Sequence, residues 1–409
     1  MSEQYRPYKF SNLIEKTGDK SAVNLIYQNK NIDLPFADLK NLAYFVDPQG
    51  EAELITHPHH HRAARLPDIA MKDRQGNLYF QTTVKGGGYL YPEGYQSKKD
   101  NYCGQSNSEI TVQKSVEDPW GYKVLGLFDR RNVGSLIENI KKMKQAGLRC
   151  EELAGVLELK KVLLDGEPVD VASLRNYLTD EAKKQNFPQK YLDDLKGFEP
   201  ALLIRVLRDD TRIQDFCSAD NKEKKKILVE VFNRLNLGNE YAKKEERYDA
   251  NNPESIKKYL EDFFVQSGKN LAIMQNNGAM MTYLNSGNIT LSLGEIVDLD
   301  SIVFLDKGYS AHITPDRESG IPKGYKKDIR DQIYALGKMF ANAFEGMIAV
   351  DNSLRERLTA AFLDSYEKNF DLGKIKSLQL DPAAIKKVVK DFASEMISHN
   401  RSVSPVKLL

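Results

Sequence analysis

The rhythm of apolar and polar positions changes part-way along this chain. In the first half, apolar residues come in short runs. Residues 77–85, Asn-Leu-Tyr-Phe-Gln-Thr-Thr-Val-Lys, are rich in aromatic and β-branched side chains and are stopped by Gly86, Gly87 and Gly88, so they read as a strand. Residues 121–128 read as another. Val133, Leu136, Ile137, Ile140 and Met143 then fall on one face at helical spacing and predict a helix. Residues 153–164 read as a strand pair or a strand and hinge. After residue 220 the period is helical over 227–237, 253–275, 326–344, 353–370 and 382–398, interrupted by a strand-rich island at 279–305. The run of lysines from Lys222 to Lys226 reads as a solvated helix start. No internal repeat is visible. The pattern predicts an α+β chain: β-rich with one main helix first, mostly helical afterwards.

Composition narrows the class. The chain has 409 residues, 41% hydrophobic and 29% charged, which suits a folded protein with a sizeable core. A formal net charge of +1 supplies no global field for nucleic acid or an anionic membrane. Tyr89, Tyr91, Tyr95 and Tyr102 cluster near Gly residues, but only Lys98 and Lys99 accompany them, a poor match to a stacking nucleic-acid groove. Cys103, Cys150 and Cys217 are too few and too widely spaced for a zinc site or a disulfide framework, which points to a reducing compartment. No apolar run is long enough to span a bilayer, and the first residues carry no apolar signal core. The expected location is cytoplasmic, in a bacterial cytosol or, for a secreted effector, a host cytosol. Four of the six histidines lie within 57–61 (His57, His59, His60 and His61), and with no partner ligand placed by spacing they read as a solvated loop rather than a metal site.

Three groups of residues carry candidate chemistry. Phosphoryl or nucleotidyl transfer needs a cation on the phosphates, a carboxylate to hold that cation, and metal ligands. Lys85 ends a predicted strand, and Glu138 lies on the following helix beside its apolar face; the alternative is a surface lysine and a surface glutamate. Asn288 and Asp298 stand ten residues apart across a turn near Gly294, so a hairpin brings both to one end. An amide oxygen and a carboxylate suit Mg²⁺; equally, both are common turn residues. Arg205 and Arg212 flank a turn after an apolar strand and could clamp a phosphate. Ion pairing with Asp209, Asp210 and Asp215 is the other reading.

These groups follow one another in an order that resembles the selenoprotein O family. Val84-Lys85-Gly86-Gly87-Gly88-Tyr89 resembles that family's strand-end lysine and glycine loop. Ser135-Leu136-Ile137-Glu138 resembles the helix with its lysine-pairing glutamate. Arg205 through Arg212-Ile213-Gln214-Asp215-Phe216 resembles the segment whose arginines hold the nucleotide. Asn277-Gly278 followed by Gly287-Asn288, then Ile296-Val297-Asp298 and Val303 to Asp306, resembles the metal-binding loop and the stretch after it. The resemblance covers roughly residues 75–350.

It implies a two-lobed protein-kinase-like fold, with a 1–65 N-terminal extension, a kinase-like N-lobe over 66–165 and a kinase-like C-lobe over 166–409. It implies ATP and Mg²⁺ (or Mn²⁺) as cofactors and AMP transfer to Ser, Thr or Tyr hydroxyls of a protein substrate. Lys85, Gly86, Gly87, Gly88, Glu138, Arg205 and Arg212 would bind the nucleotide. Asn288 and Asp298 would hold metal, and Lys85, Glu138 and Asp298 would be catalytic. Conventional phosphotransfer, or other ATP-dependent modification by a kinase-fold effector, is an alternative. The sequence departs from the family at Gly287, where an Asp is usual, and at Asn277, where a His is usual; residues 279–286 lengthen the loop. Those departures keep a catalytically dead nucleotide-binding scaffold open as a further reading.

Overall fold

The structure is a computed structural model and describes residues 7–36, 38–47, 49–56, 63–66, 70–88, 110–114, 122–306, 310–342, 344 and 347–398. The His57–His61 run, Cys103 and the tyrosines at 89–102 lie outside the described residues. The chain divides into two compact units: residues 1–137 with 152–207, and residues 138–151 with 208–409.

The first unit is built on a nine-stranded sheet. Its strands are β1 (Pro7–Asn12), β2 (Val23–Gln28), β3 (Tyr44–Val46), β4 (Ala52–Thr56), β5 (Ala63–Arg65), β6 (Gln81–Lys85), β7 (Phe128–Asp129), β8 (Glu152–Leu159) and β9 (Pro200–Leu207). They lie in the order β2-β8-β9-β6-β5-β4-β1-β3, with β7 also paired to β9, and every pairing is antiparallel. Residues 1–65, expected as an extension, supply five of the nine strands. The division also falls at residue 207 rather than 165. The reason is β9, whose residues are all buried and which pairs with both β6 and β8 at the middle of the sheet. Helices α2 (Val171–Lys184) and α3 (Gln189–Leu195), which the sequence reading did not separate, follow in the same unit; α1 (Val133–Gln145) is the helix expected from the 133–143 pattern.

Period-two alternation sets the two faces of the sheet. Val84, Leu202, Ile204 and Val206 point into the core with Phe10, Phe45 and Leu157. In an antiparallel pair, directly opposed residues share a face. Leu203 opposes Lys85 and Arg205 opposes Thr83, so Lys85 and Arg205 lie on the same face as diagonal neighbours.

The second unit is helical, as the period after residue 220 predicts. It contains α4 (Ile213–Ser218), α5 (Asn221–Tyr241), α6 (Pro253–Asn276), α7 (Lys323–Asn342), α8 (Asn352–Asn369) and α9 (Pro382–Ser398). Asp220 caps the lysine-rich start of α5, accepting from the Glu223 amide, and Asn252 caps α6 ahead of Pro253. An aromatic core joins α5 and α6: Phe232, Tyr248, Tyr259 and Phe263 pack with ring centroids 4.8–5.9 Å apart. With strands in the first unit and helices in the second, the chain is of α+β class.

The island at 279–305 holds less strand than its composition suggests. Only Ala279–Met280 and Val303–Phe304 pair as strands. Between them runs a narrow hairpin closed by two hydrogen bonds, Thr290 N to Glu295 O (2.9 Å) and Val297 N to Asn288 O (3.1 Å). Its turn needs left-handed backbone at Leu293 and Gly294, and α6 holds that turn from below. The Tyr259 hydroxyl donates to Leu291 O at 2.7 Å, and Asn270 Nδ2 donates to Gly294 O at 2.8 Å.

Candidate functional site

The segment after β9 turns sharply because the Asp209 side chain accepts from the Thr211 amide at 2.7 Å. Residues 211–214 then run beside the hairpin. Leu291 N donates to Thr211 O (2.8 Å), Ile213 N to Ile289 O (3.0 Å) and Gln214 N to Ser286 O (3.0 Å). Arg212 opposes Thr290 across this pairing, and its own amide is capped by Asp215 at 3.2 Å. The backbone therefore delivers the Arg212 side chain to the open end of the hairpin.

Three oxygens meet it there. Arg212 Nη1 donates to the Gly287 carbonyl and, at 3.2 Å, to Asn288 Oδ1; Asp298 Oδ2 lies 3.7 Å from the same nitrogen. Asn288 and Asp298, ten residues apart in sequence, thus converge on a single atom. All three residues are buried. Asn288 is oriented by its other end, where Nδ2 donates to Tyr283 O at 2.9 Å. Asp298 sits in left-handed backbone (φ +63°), an uncommon conformation for a non-glycine residue. It is held there from both sides: Val297 N is fixed by the hairpin, and Leu299 N donates to Glu151 Oε1 at 2.9 Å. The 149–151 segment that supplies Glu151 pairs in parallel with Ile296 and is pinned by Arg149 Nε on Ser292 O at 2.7 Å.

Around this centre two further arginines are committed to buried carboxylates. Arg208 donates to buried Glu295 at 2.6 Å, and Arg234 to buried Asp209 at 2.5 Å. The expected alternative, Arg212 neutralised by Asp209, Asp210 and Asp215, is not what its guanidinium does; Asp215 reaches only its main chain. Arg212 Nε is buried and has no hydrogen-bond acceptor among the described residues. An unmade hydrogen bond at a buried donor is costly. A phosphate oxygen is an acceptor suited to it, and a guanidinium is suited to phosphate.

A metal was expected between Asn288 and Asp298. The donor types fit a hard cation, but Arg212 already lies against both oxygens, and no group of three or more His, Cys, Asp or Glu converges among the described residues. With Arg212 in this position the residues do not fit a divalent ion.

The other predicted residues lie on other elements of the chain. Lys85 ends β6 and is buried, as is Arg205 in β9. Gly86, Gly87 and Gly88 are buried, and packing accounts for them. A side chain at Gly87 would stand 2.0 Å from Tyr44 O, and Gly86 and Gly88 have φ of +105° and +94°. Val46 N donates to Gly87 O, and Gly88 N to Gly126 O, both at 2.7 Å. Glu138 is on the exposed side of α1 and belongs to the second unit, whereas Lys85 belongs to the first.

One residue that positions the site escaped the sequence reading. Asp328 of α7 accepts from the Met281 amide at 2.7 Å and so anchors the loop that leads to Tyr283 and Asn288. The loop needs such an anchor, because Thr282, a β-branched residue, has φ +62°. Complete burial, with a smaller contribution from Asp331, pushes the Asp328 carboxyl up to about 7 against the pull of the Met281 amide. The available signal was a carboxylate among Tyr325, Ile329, Ile333 and Leu336 on the apolar face of a helix.

No family model and no curated protein matches this chain. Among solved structures, it is similar to the kinase domain of a rhoptry antigen from Toxoplasma gondii (10% identity, 84% of each chain, TM-score 0.32). It is similar to WaaP in complex with acyl carrier protein (10% identity, 81% of this chain and 89% of that one, TM-score 0.28). It is also similar to ROP2 of Toxoplasma gondii, described as a virulence factor with a protein-kinase fold and no enzymatic activity (8% identity, 85% and 84%, TM-score 0.31). Likenesses this distant carry no argument about activity. No helix among the described residues is long and apolar enough to cross a membrane.

Proposed function

We propose that this chain binds ATP through its phosphates on a kinase-like framework and transfers AMP to Ser, Thr or Tyr hydroxyls of a protein, as the resemblance to the selenoprotein O family implies. One observation carries the reading: a buried arginine is fixed at a hairpin end with its Nε donor left without an acceptor among the described residues. The resemblance also assigns Arg205 and Lys85 to the phosphates; both are buried on one face of the first unit's sheet. In the transfer, the substrate hydroxyl oxygen bonds to the α-phosphorus, the bond to the bridging oxygen breaks, and pyrophosphate leaves carrying the charge that these cations stabilise. Gly287 offers no carboxylate for the hydroxyl proton, which passes to water, so transfer is slow.

The same Gly287 favours a second reading, a nucleotide-binding scaffold without turnover. Calorimetry with ATP and intact mass measurement after incubation with ATP and a mixture of candidate proteins test both. Binding with a gain of one AMP on a protein supports the first reading. A gain of one phosphate replaces it with phosphotransfer, and binding without modification moves the scaffold ahead. A chain that binds no ATP loses all three.

A further inference from the structure

The oxygens that meet Arg212 are of the kinds a hard cation collects: a main-chain carbonyl from Gly287, an amide Oδ1 from Asn288 and a carboxylate Oδ2 from Asp298. Here they surround one guanidinium nitrogen. We propose that Arg212 is the resident cation of this site, that it takes the place of a divalent metal between Asn288 and Asp298, and that nucleotide phosphates are engaged without a metal ion. The second half of this inference rests on the phosphate-binding reading above.

The charges support it. Arg212 and Asp298 retain 4% and 9% of their side-chain exposure, so a buried positive charge already faces this buried carboxylate. A divalent ion entering beside Arg212 would set its charge against the guanidinium in the same volume, and like charges at such distances repel strongly where water is excluded. The geometry agrees. The Asn288 and Asp298 contacts, at 3.2 and 3.7 Å, are hydrogen-bond and ion-pair lengths, whereas magnesium ligands lie at about 2.1 Å. To hold the metal the oxygens would have to close in and Arg212 would have to leave. Its main chain is tied on both sides, to the hairpin through Thr211 and Ile213 and to Asp215 through its own amide. The guanidinium divides its work: Nη1 serves the protein oxygens, and Nε, unmatched among the described residues, is left for an anion.

The test uses Mn²⁺ alone as the probe, without nucleotide, read by the electron paramagnetic resonance of free and bound ion and by melting temperature. Four full-length chains are compared: wild type, Asp298→Asn, Arg212→Ala, and Arg212→Ala with Asp298→Asn. The wild type is expected to bind no Mn²⁺ that depends on Asp298. Arg212→Ala is expected to gain one Mn²⁺ site, with affinity roughly tenfold or more above wild type and a melting temperature that rises with Mn²⁺ to saturation. Adding Asp298→Asn should abolish both gains. A wild-type Mn²⁺ site that Asp298→Asn removes overturns the proposal, because metal and Arg212 would then coexist. An Arg212→Ala chain that folds but takes no Mn²⁺ overturns it as well. So does one that stays unfolded in saturating Mn²⁺, since a cluster that accepts the ion would have regained its cation. Wild-type ATP binding in excess chelator, compared with binding in Mg²⁺, separates this inference from the one beneath it. Equal affinity supports metal-free engagement, and binding only with Mg²⁺ overturns it while leaving the ATP reading intact. No binding in either condition overturns the phosphate reading, and the Mn²⁺ series then decides whether Arg212 excludes the metal.

Discussion

Two regions of this molecule carry residues that look functional, and the structure uses them differently. At the end of β6, Lys85 is followed by three glycines that read as a phosphate-hugging loop, yet each is buried and a side chain at Gly87 would collide with Tyr44 O. At the end of the hairpin, Arg212, Asn288 and Asp298 read equally well as turn residues and surface ion pairs, yet they converge, buried, on one another. A glycine is fully explained once the space it occupies is explained. A buried charge is not, because its cost has to be met by a partner, and Arg212 keeps one donor unmatched among the described residues. The polar cluster is therefore the better place to look for a ligand.

The comparison breaks most visibly at Asp298. Removing one partner of a buried pair strands the other charge, at a typical cost of about 3–5 kcal/mol. Asp298→Ala is expected to lose stability in that range by urea unfolding. A loss under about 1 kcal/mol, the scale of an exposed pair, would show the cluster to be solvated and would return Arg212 to the surface-ion-pair reading. On the other side of the comparison, Gly87→Ala forces a methyl against a fixed carbonyl. Overpacking typically costs about 1–3 kcal/mol and occasionally more, and a contact with main chain belongs at the upper end. The packing account predicts that ATP affinity of the folded Gly87→Ala protein is unchanged. Wild-type stability with lost ATP binding would instead give the glycines the nucleotide role that the resemblance assigns them.

A subtler effect separates the loop anchor from the cluster it positions. The folded pKa of Asp328 is raised to about 7 by burial, above the ordinary carboxylate value of an unfolded chain. The native state therefore holds a proton that the unfolded state has released across that interval. Below the ordinary carboxylate value both states are protonated and the burial cost is absent; as pH rises through about 7 it is incurred in full. Stability should fall as pH rises from about 4 to about 7, with a limiting slope of about 1.4 kcal/mol per pH unit for one proton. Asp328→Asn, which stays neutral, should remove that slope from urea unfolding measured across the range. A variant with the wild-type pH profile would mean that Asp328 is not the titrating group.

How far the sequence was legible follows the same division. Helical period placed α6, α7 and α8 because an apolar face repeats every three to four residues, and the Asn288–Asp298 juxtaposition followed from a turn near Gly294. The sheet was harder. Residues 1–65 look like an irregular extension because most of their strands are short and β2 finds its partner, β8, only far along the chain. No local pattern encodes that pairing. The position of Arg212 was also out of reach, since it depends on the 211–214 segment lying against 286–291, more than seventy residues away. Asp328 was missed because a carboxylate on an apolar helix face becomes meaningful only when the Met281 amide is seen to approach it.

The smallest expected effect concerns Glu138, the assigned partner of Lys85. Its side chain is exposed on α1, and exposed substitutions away from special features usually stay within about 0.5 kcal/mol. Glu138→Gln should therefore leave urea unfolding unchanged. For ATP binding the two regions make opposite demands. If phosphate binding is centred on the Arg212 cluster, a carboxylate that lies in water contributes little, and affinity measured by calorimetry should change by less than about threefold, under 1 kcal/mol on the scale of 1.4 kcal/mol per decade. If Glu138 instead orients Lys85 on the nucleotide, it holds a charge-assisted contact worth about 1.5–3 kcal/mol, and its loss should weaken binding by about tenfold or more. A tenfold loss with unchanged stability would favour the lysine–glutamate pair that the resemblance assigns to the nucleotide. An unchanged affinity, beside a large loss in Arg212→Lys, would leave the buried guanidinium as the residue on which binding turns, since a lysine keeps the charge but not the side-on fork to which Nε belongs.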